Sequence, residues 1–269
     1  MHLKRWLTAI VAVPALVALI CKGSPPVFAC LIALIAALAI REYFYIVSGG
    51  DKLFILKPIP IIGSILGLAM ITAALYGSFE IIFLLMFSGL VLGALFSMPA
   101  YRHDARIMET LSGQVQGIVY VFFPLSTLVL LRCRPEGLIW VFFVVLVVFL
   151  GDVGAFYMGT YLGRHKLAPA ISPGKSVEGA LGGLAANIAV AVVYKILLLP
   201  ALPVALVIVF AVAVGIAGQI GDLFESQLKR RAGIKDSGTI LPGHGGMLDR
   251  IDALLFALPV AYGFNMFVF

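Results

Sequence analysis

Four polar side chains mark the end of an apolar run in GQIGDLFESQLKRR, residues 218–231. Asp222, Glu225, Ser226 and Lys229 stand at i, i+3, i+4 and i+7, so a helix would put them on one face. A carboxylate so near an apolar run costs free energy unless it is paired or metal-bound, which makes Asp222 a candidate for chemistry. Lys229 and Arg231 taken alone could be a charged helix end reaching for headgroups. The next stretch, RAGIKDSGTILPGHGG (231–246), holds Pro242-Gly243, which imposes a turn, and Gly245-Gly246, which let backbone approach a ligand closely. A helix follows at once, and its first N–H groups would suit a phosphate. Asp249 and Asp252, three positions apart, share one side of its first turn. Asp222 on one helix and Asp249 with Asp252 on the next can therefore converge. Hard oxygen donors of this kind suit magnesium, which commonly takes one or two carboxylates together with substrate phosphates. The bland alternative is a set of Asp–Arg ion pairs capping a helix. His244 stays open between ligand, general acid and turn residue.

A second polar loop reads GRHKLAPAISPGKSVEGALGG, residues 163–183. Lys175, Ser176 and Glu178 precede or begin a helix in which Gly179, Gly182 and Gly183 allow close packing with a neighbour. A lysine and hydroxyls ahead of a helix could hold phosphate, but the GxxxxGK[ST] spacing of a P-loop is missing. Asp152, in FLGDVGAFYMG, lies well inside an apolar span. Either that helix breaks early near Gly151 and Gly154 or Asp152 lines a polar cavity, and the cavity is the reading we favour.

The elements that must position these residues are membrane spans. Of the 269 residues, 62% are hydrophobic and 12% charged, too few polar groups to cover a soluble core. Runs of about 20 apolar residues occur near 4–21, 26–47, 58–77, 80–99, 115–131, 137–162, 178–199, 202–223 and 247–269. WVFFVVLVVFL, at 140–150, is apolar all round, as a helix among lipids or other helices should be. The expected fold class is all-α, a polytopic membrane protein of about nine helices; the short alternating segments of an outer-membrane barrel are absent. Lys4 and Arg5 ahead of an apolar run imitate a secretory signal, but with spans continuing to residue 269 the segment reads as a retained helix. With the N-terminus inside and the C-terminus outside, only Lys22, Arg132, Arg134 and Lys195 of the 19 Lys and Arg residues fall outside. That asymmetry accounts for the net charge of +6 without nucleic acid, for which no motif is present; anionic headgroups are the nearer partners. Cys21, Cys30 and Cys133 lack metal-ligand spacing. The chain divides into 1–114, apolar helices and the solvated connection YRHDARIMETLSGQ (101–114), and 115–269, the candidate catalytic helices. The latter carry loops 163–177 and 230–246, long for a compact bundle and both on the cytoplasmic side by this parity.

SQLKRRAGIKDSGTILPGHGGMLDRID (226–252) closely resembles the long motif of the phosphatidate cytidylyltransferases, or CDP-diacylglycerol synthases. The matching elements are Ser226, Lys229-Arg230, Lys235-Asp236, Pro242 to Gly246, and Asp249-Arg250 followed by Asp252. GDVGAFYMGTYLGRHKLAPAISPGKSVEG looks like the family's upstream block, departing at Gly174 and Val177, where many members have lysine and tryptophan. The resemblance is strong over roughly 151–257. It implies a nucleotidyltransferase that makes CDP-diacylglycerol and pyrophosphate from CTP and phosphatidic acid with a divalent metal. It implies Mg2+ on Asp222 and Asp249, with Asp252 and Glu225 in support, and leaves open whether a monovalent cation such as K+ joins it. Lys229, Arg230, Lys235 and Arg250 would hold the triphosphate or the lipid phosphate, and Ser172 and Lys175 would reach in from the other loop. Ser226 and His244 fall in the motif's substrate-contacting part. The resemblance further implies the inner (cytoplasmic) membrane, an active site facing the cytoplasm, and a homodimer. Two other classes weigh less. An ion-coupled transporter would bring inverted repeats and a midplane site, and no repeat is visible. A phosphotransferase consuming CDP-lipids would carry D-G-x-x-A-R with paired aspartates downstream, which is absent.

Overall fold

The computed structural model describes residue 14 and residues 17–238 and 245–268. Eight helices among these residues are long and apolar enough to cross a bilayer, and the chain is an all-α, multi-pass membrane protein. They are α1 (Pro25–Val47), α2 (Pro58–Leu75), α3 (Phe79–Tyr101), α4 (Ile107–Cys133), α5 (Gly137–Leu162), α6 (Val177–Leu198), α7 (Val204–Arg231) and α8 (Leu248–Val268). They match eight of the nine expected spans. Most of the expected first span, 4–21, lies outside the described residues.

The helices fall into two compact units. The first comprises α1 to α4 with residues 231–250. Here glycines make room for bulky groups of α4. A Cβ at Gly67 would run into the Phe122 ring, and Cβ atoms at Gly63, Gly89 and Gly93 would meet Gln114, Ile118 or Leu111. Gln114 is fully buried, and its Nε2 donates to the Gly89 carbonyl at 3.0 Å. The connection expected to be solvated through residue 114 is therefore helix from Ile107 onward. Its one deeply buried amide pairs its Nε2 with a carbonyl, which offsets part of the desolvation cost that polar sequence would suggest. Pro124 has no N–H for the Tyr120 carbonyl and its ring crowds that turn, and α4 widens to a π turn over Ile118–Phe122. The Tyr43 hydroxyl ties α1 to α4, donating to Gly113 O at 3.0 Å and lying 2.8 Å from Gln116 Oε1.

The second unit comprises residues 135–230 and 251–269. Helix α5 packs on α6 along glycines: a Cβ at Gly154 would meet Ala186, one at Gly182 would meet Met158, and one at Gly183 would lie 3.1 Å from the Gly151 carbonyl. Such close backbone approach is how helices associate where burial of apolar surface gives no driving force. At one end Phe143 stacks on Phe210 at 4.5 Å and on Tyr194 at 4.8 Å, with Trp140 edge-on to both phenylalanines. Between α5 and α6 the chain forms a small antiparallel hairpin, β1 (Lys166–Ala168) and β2 (Ser172–Ser176), pairing Lys166 with Ser176 and Ala168 with Ser172. The hairpin was read from sequence only as loop.

Candidate active site

In the second unit the sequence candidates of α5, α7, α8 and the hairpin come together. Lys175, on β2, places its Nζ 2.6 Å from Asp222 Oδ2. The Ser226 hydroxyl, one turn along α7, lies 3.5 Å from Asp222 Oδ1. Asp152 on α5 and Asp252 on α8 are each close enough to Asp222 to feel its charge, and Asp252 also feels Asp152. Three carboxylates thus share one neighbourhood, with Lys175 the countercharge directly on Asp222. Asp252 Oδ1 accepts its own helix's Ala253 N–H at 2.8 Å. What lets α8 bring Asp252 this near is Gly221, since a Cβ there would sit 2.5 Å from the Asp252 carbonyl oxygen. Helix α5 runs unbroken through Asp152, so the early break allowed for at Gly151 and Gly154 does not occur.

Not every expected phosphate ligand points outward. Lys229 is ion-paired with Glu225 one turn before it. The Glu225 side chain is 1% exposed and that of Lys229 14%. Arg230 donates its Nε to the Ile171 carbonyl at 3.2 Å, fixing the tip of the hairpin to the end of α7. Ser176 caps α6, its Oγ accepting the Gly179 N–H at 3.1 Å. Glu178 accepts the N–H of Arg164 at 3.0 Å and that of His165 at 3.2 Å, and lies 2.6 Å from His165 Nδ1. These bonds anchor both ends of the hairpin on the start of α6, which holds Ser172 and Lys175 on a short rigid platform instead of a loose loop.

In the first unit, residues 231–250 fold onto α1. Asp249 accepts the Ser237 N–H at 3.0 Å and the Gly246 N–H at 2.8 Å on Oδ2. Glu42, on α1 and 4% exposed, accepts the Ser237 hydroxyl at 3.0 Å, the Met247 N–H at 3.0 Å and the Leu248 N–H at 2.8 Å. This corrects one expectation. The N–H groups at the start of α8, expected to suit a phosphate, are taken by two protein carboxylates, which satisfy the same donors. Lys235 and Asp236 are exposed, as is Arg250. His244 and Pro242-Gly243 lie outside the described residues.

Sequence reasoning missed Glu42, Gly221 and His165. An acid inside the apolar run of α1, in REYF at 41–44, was the available signal for Glu42. Nothing in the spacing tied it to residues some two hundred positions away.

A family model described as the Cytidylyltransferase family matches residues 3–268. The chain belongs to that family. Among curated relatives it is similar to a protein of Staphylococcus saprophyticus named phosphatidate cytidylyltransferase, 47% identical over 131 residues, or 49% of this chain and 50% of the relative. Proteins of the same name from Bacillus subtilis and Staphylococcus aureus are 42% and 41% identical over 126 and 144 residues. Those matches cover 47% and 54% of this chain, and 47% and 53% of the relatives. The chain thus spans about half the length of the curated relatives it matches.

Proposed function

We propose that this protein is a phosphatidate cytidylyltransferase, joining CTP to phosphatidic acid to give CDP-diacylglycerol and pyrophosphate. The observation that carries the reading is the cluster of Asp152, Asp222 and Asp252 with Lys175 on Asp222, inside a membrane-spanning unit of a cytidylyltransferase-family chain. An oxygen of the lipid phosphate attacks the α-phosphorus of CTP, the bond to the β-phosphate's bridging oxygen breaks, and pyrophosphate leaves. The nucleophile is already anionic, so no strong base is required. The difficulty is to bring two polyanions together in line.

The donor set fits a divalent cation. Asp222 and Asp252 offer hard carboxylate oxygens that repel one another and Asp152. Among the described residues no three His, Cys, Asp or Glu side chains group to hold an ion by themselves; magnesium commonly takes one or two carboxylates and fills its shell with water and phosphate. Asp222 and Asp252 would hold it. When bound, Mg2+ supplies charge neutralisation at the transferring phosphate. The chain's own groups do the rest. Lys175, on β2 and ion-paired with Asp222, would take a phosphate oxygen. Lys229 is ion-paired with Glu225, and Lys235 and Arg250 are exposed; the motif resemblance assigns each of the three to a phosphate. Asp249 orders the backbone at Ser237 and Gly246. Whether it also ligates the cation, and whether K+ joins the magnesium, are read from metal dependence.

The membrane setting explains the architecture: one substrate stays in the bilayer and the other arrives in water. The distribution of Lys and Arg supports a multi-pass protein of the cytoplasmic membrane, with the polar loops and the reaction on the cytoplasmic side. A homodimer completes the proposal, testable by mass measurement in nanodiscs. The activity test uses purified protein in lipid with Mg2+, phosphatidic acid and CTP labelled on the α- or the γ-phosphate. The α-label should enter the lipid phase and the γ-label should appear in pyrophosphate. No lipid label from folded protein would remove the reading.

A further inference from the structure

A buried acid on α1 is unused by the chemistry above. Glu42 comes from an apolar span, where a carboxylate is costly unless its oxygens are satisfied. Here Oε2 accepts from the Ser237 hydroxyl and the Leu248 N–H, and Oε1 accepts from the Met247 N–H. These partners lie on both sides of residues 239–244. Two glycines make the contact sterically possible: a Cβ at Gly238 or Gly246 would run into the Glu42 carboxyl group. Asp249 joins the same two flanks through the N–H groups of Ser237 and Gly246. The start of α8 and the end of the preceding stretch are therefore tied to α1 by one side chain.

We propose that Glu42 is a positioning residue for the transfer reaction, fixing both flanks of the glycine-rich motif and the first turn of the helix at Asp249 and Arg250. The role of these motif residues in transfer rests on the function proposed above; the clamp itself does not. The reasoning is geometric. Hydrogen bonds from charged acceptors to backbone donors are strong and directional, and a shift of about 1 Å in a substrate-positioning element can cost roughly 100-fold in rate. Glu42 meets no substrate in this scheme, so its loss should lower kcat far more than it raises KM.

The test compares full-length wild type with Glu42→Gln, Glu42→Asp and Ser237→Ala in nanodiscs. Three quantities are measured: hydrogen exchange at the Met247 and Leu248 amides, thermal unfolding, and kcat and KM for CTP with phosphatidic acid. Glu42→Gln keeps the shape but turns one acceptor oxygen into an amine that faces N–H or O–H donors. It should speed exchange at both amides by about tenfold or more and cut kcat roughly 10- to 100-fold. KM for CTP should stay within about threefold, and the unfolding midpoint close to wild type. Glu42→Asp keeps the charge and should recover part of kcat; Ser237→Ala, which removes one contact, should give the same pattern, weaker. If Glu42→Gln does not fold, Glu42→Asp and Ser237→Ala carry the test. Wild-type exchange and kcat in the variants that fold would overturn the clamp. So would a kcat loss that simply tracks loss of folded protein. If wild type itself makes no CDP-lipid, the function fails and the exchange rates alone still decide the role of Glu42.

Discussion

Replacing Lys229 with methionine should expose how the second unit holds its charges. Glu225 and Lys229 form an ion pair with side chains 1% and 14% exposed, one turn apart on α7. Methionine keeps the unbranched stem and its packing but leaves the Glu225 carboxylate desolvated without that counterion. Breaking a buried pair by deleting one partner costs about 3–5 kcal/mol. At about 2–4 °C per kcal/mol for a chain of this size, the midpoint should fall by roughly 6–20 °C. Removing both charges in Glu225→Gln/Lys229→Met should restore most of that stability, because two neutral side chains carry little desolvation penalty. Transfer activity should not return with it, since the proposal uses the Lys229 ammonium toward phosphate. Intrinsic fluorescence melts in detergent, followed by CDP-lipid formation on the folded fraction, give both readings. An unchanged midpoint in Lys229→Met would refute the claim that the buried Glu225 depends on Lys229 as its counterion. Wild-type turnover in the double variant would confine Lys229 to a structural role.

Two further outcomes are expected. Asp249→Asn should lose turnover while still inserting in membranes, because Oδ1 also lies 3.2 Å from the Ser237 N–H, so an amide NH2 in either position faces a backbone donor; near-normal turnover would contradict any role for this carboxylate. Gly221→Ala places a methyl group 2.5 Å from the Asp252 carbonyl. It should destabilise the protein by about 1–3 kcal/mol and raise the magnesium concentration needed for half-maximal rate; an unaltered melt and magnesium requirement would show that the approach of α8 at this point is not needed.

The spans were legible because lipid replaces water as solvent: a helix such as α5 must be apolar all round, and no amphipathic guesswork is needed. The start of α4 was not. Glu109, Ser112 and Gln114 read as a water-facing connection; Glu109 and Ser112 are exposed, but Gln114 is buried with its Nε2 on the Gly89 carbonyl, a partner set by packing. The hairpin is not legible in the sequence because β1 and β2 span three and five residues, too short for periodicity, and their anchors, Glu178 and Arg230, act across the chain. For the site, helical spacing and the motif resemblance named Asp222 and Asp249 for the cation, with Asp252 in support and Lys175 for phosphate; Lys175 and Asp252 lie near Asp222, while Asp249 accepts from Ser237 and Gly246. Spacing could not reveal that Lys229 and Arg230 are engaged by Glu225 and Ile171, or that Glu42 fills the α8 N-terminus, because those partners are set by packing.

The central claim is that Asp222 and Asp252 form a cation site serving cytidylyl transfer. A magnesium titration of CDP-lipid formation, run on wild type and on Asp222→Asn with direct Mn2+ binding measured alongside, tests it most directly. The account predicts magnesium-dependent product in wild type, and in the variant a loss of both tight Mn2+ binding and nearly all turnover. An Asp222→Asn protein that binds the ion and turns over with the wild-type magnesium dependence would contradict it.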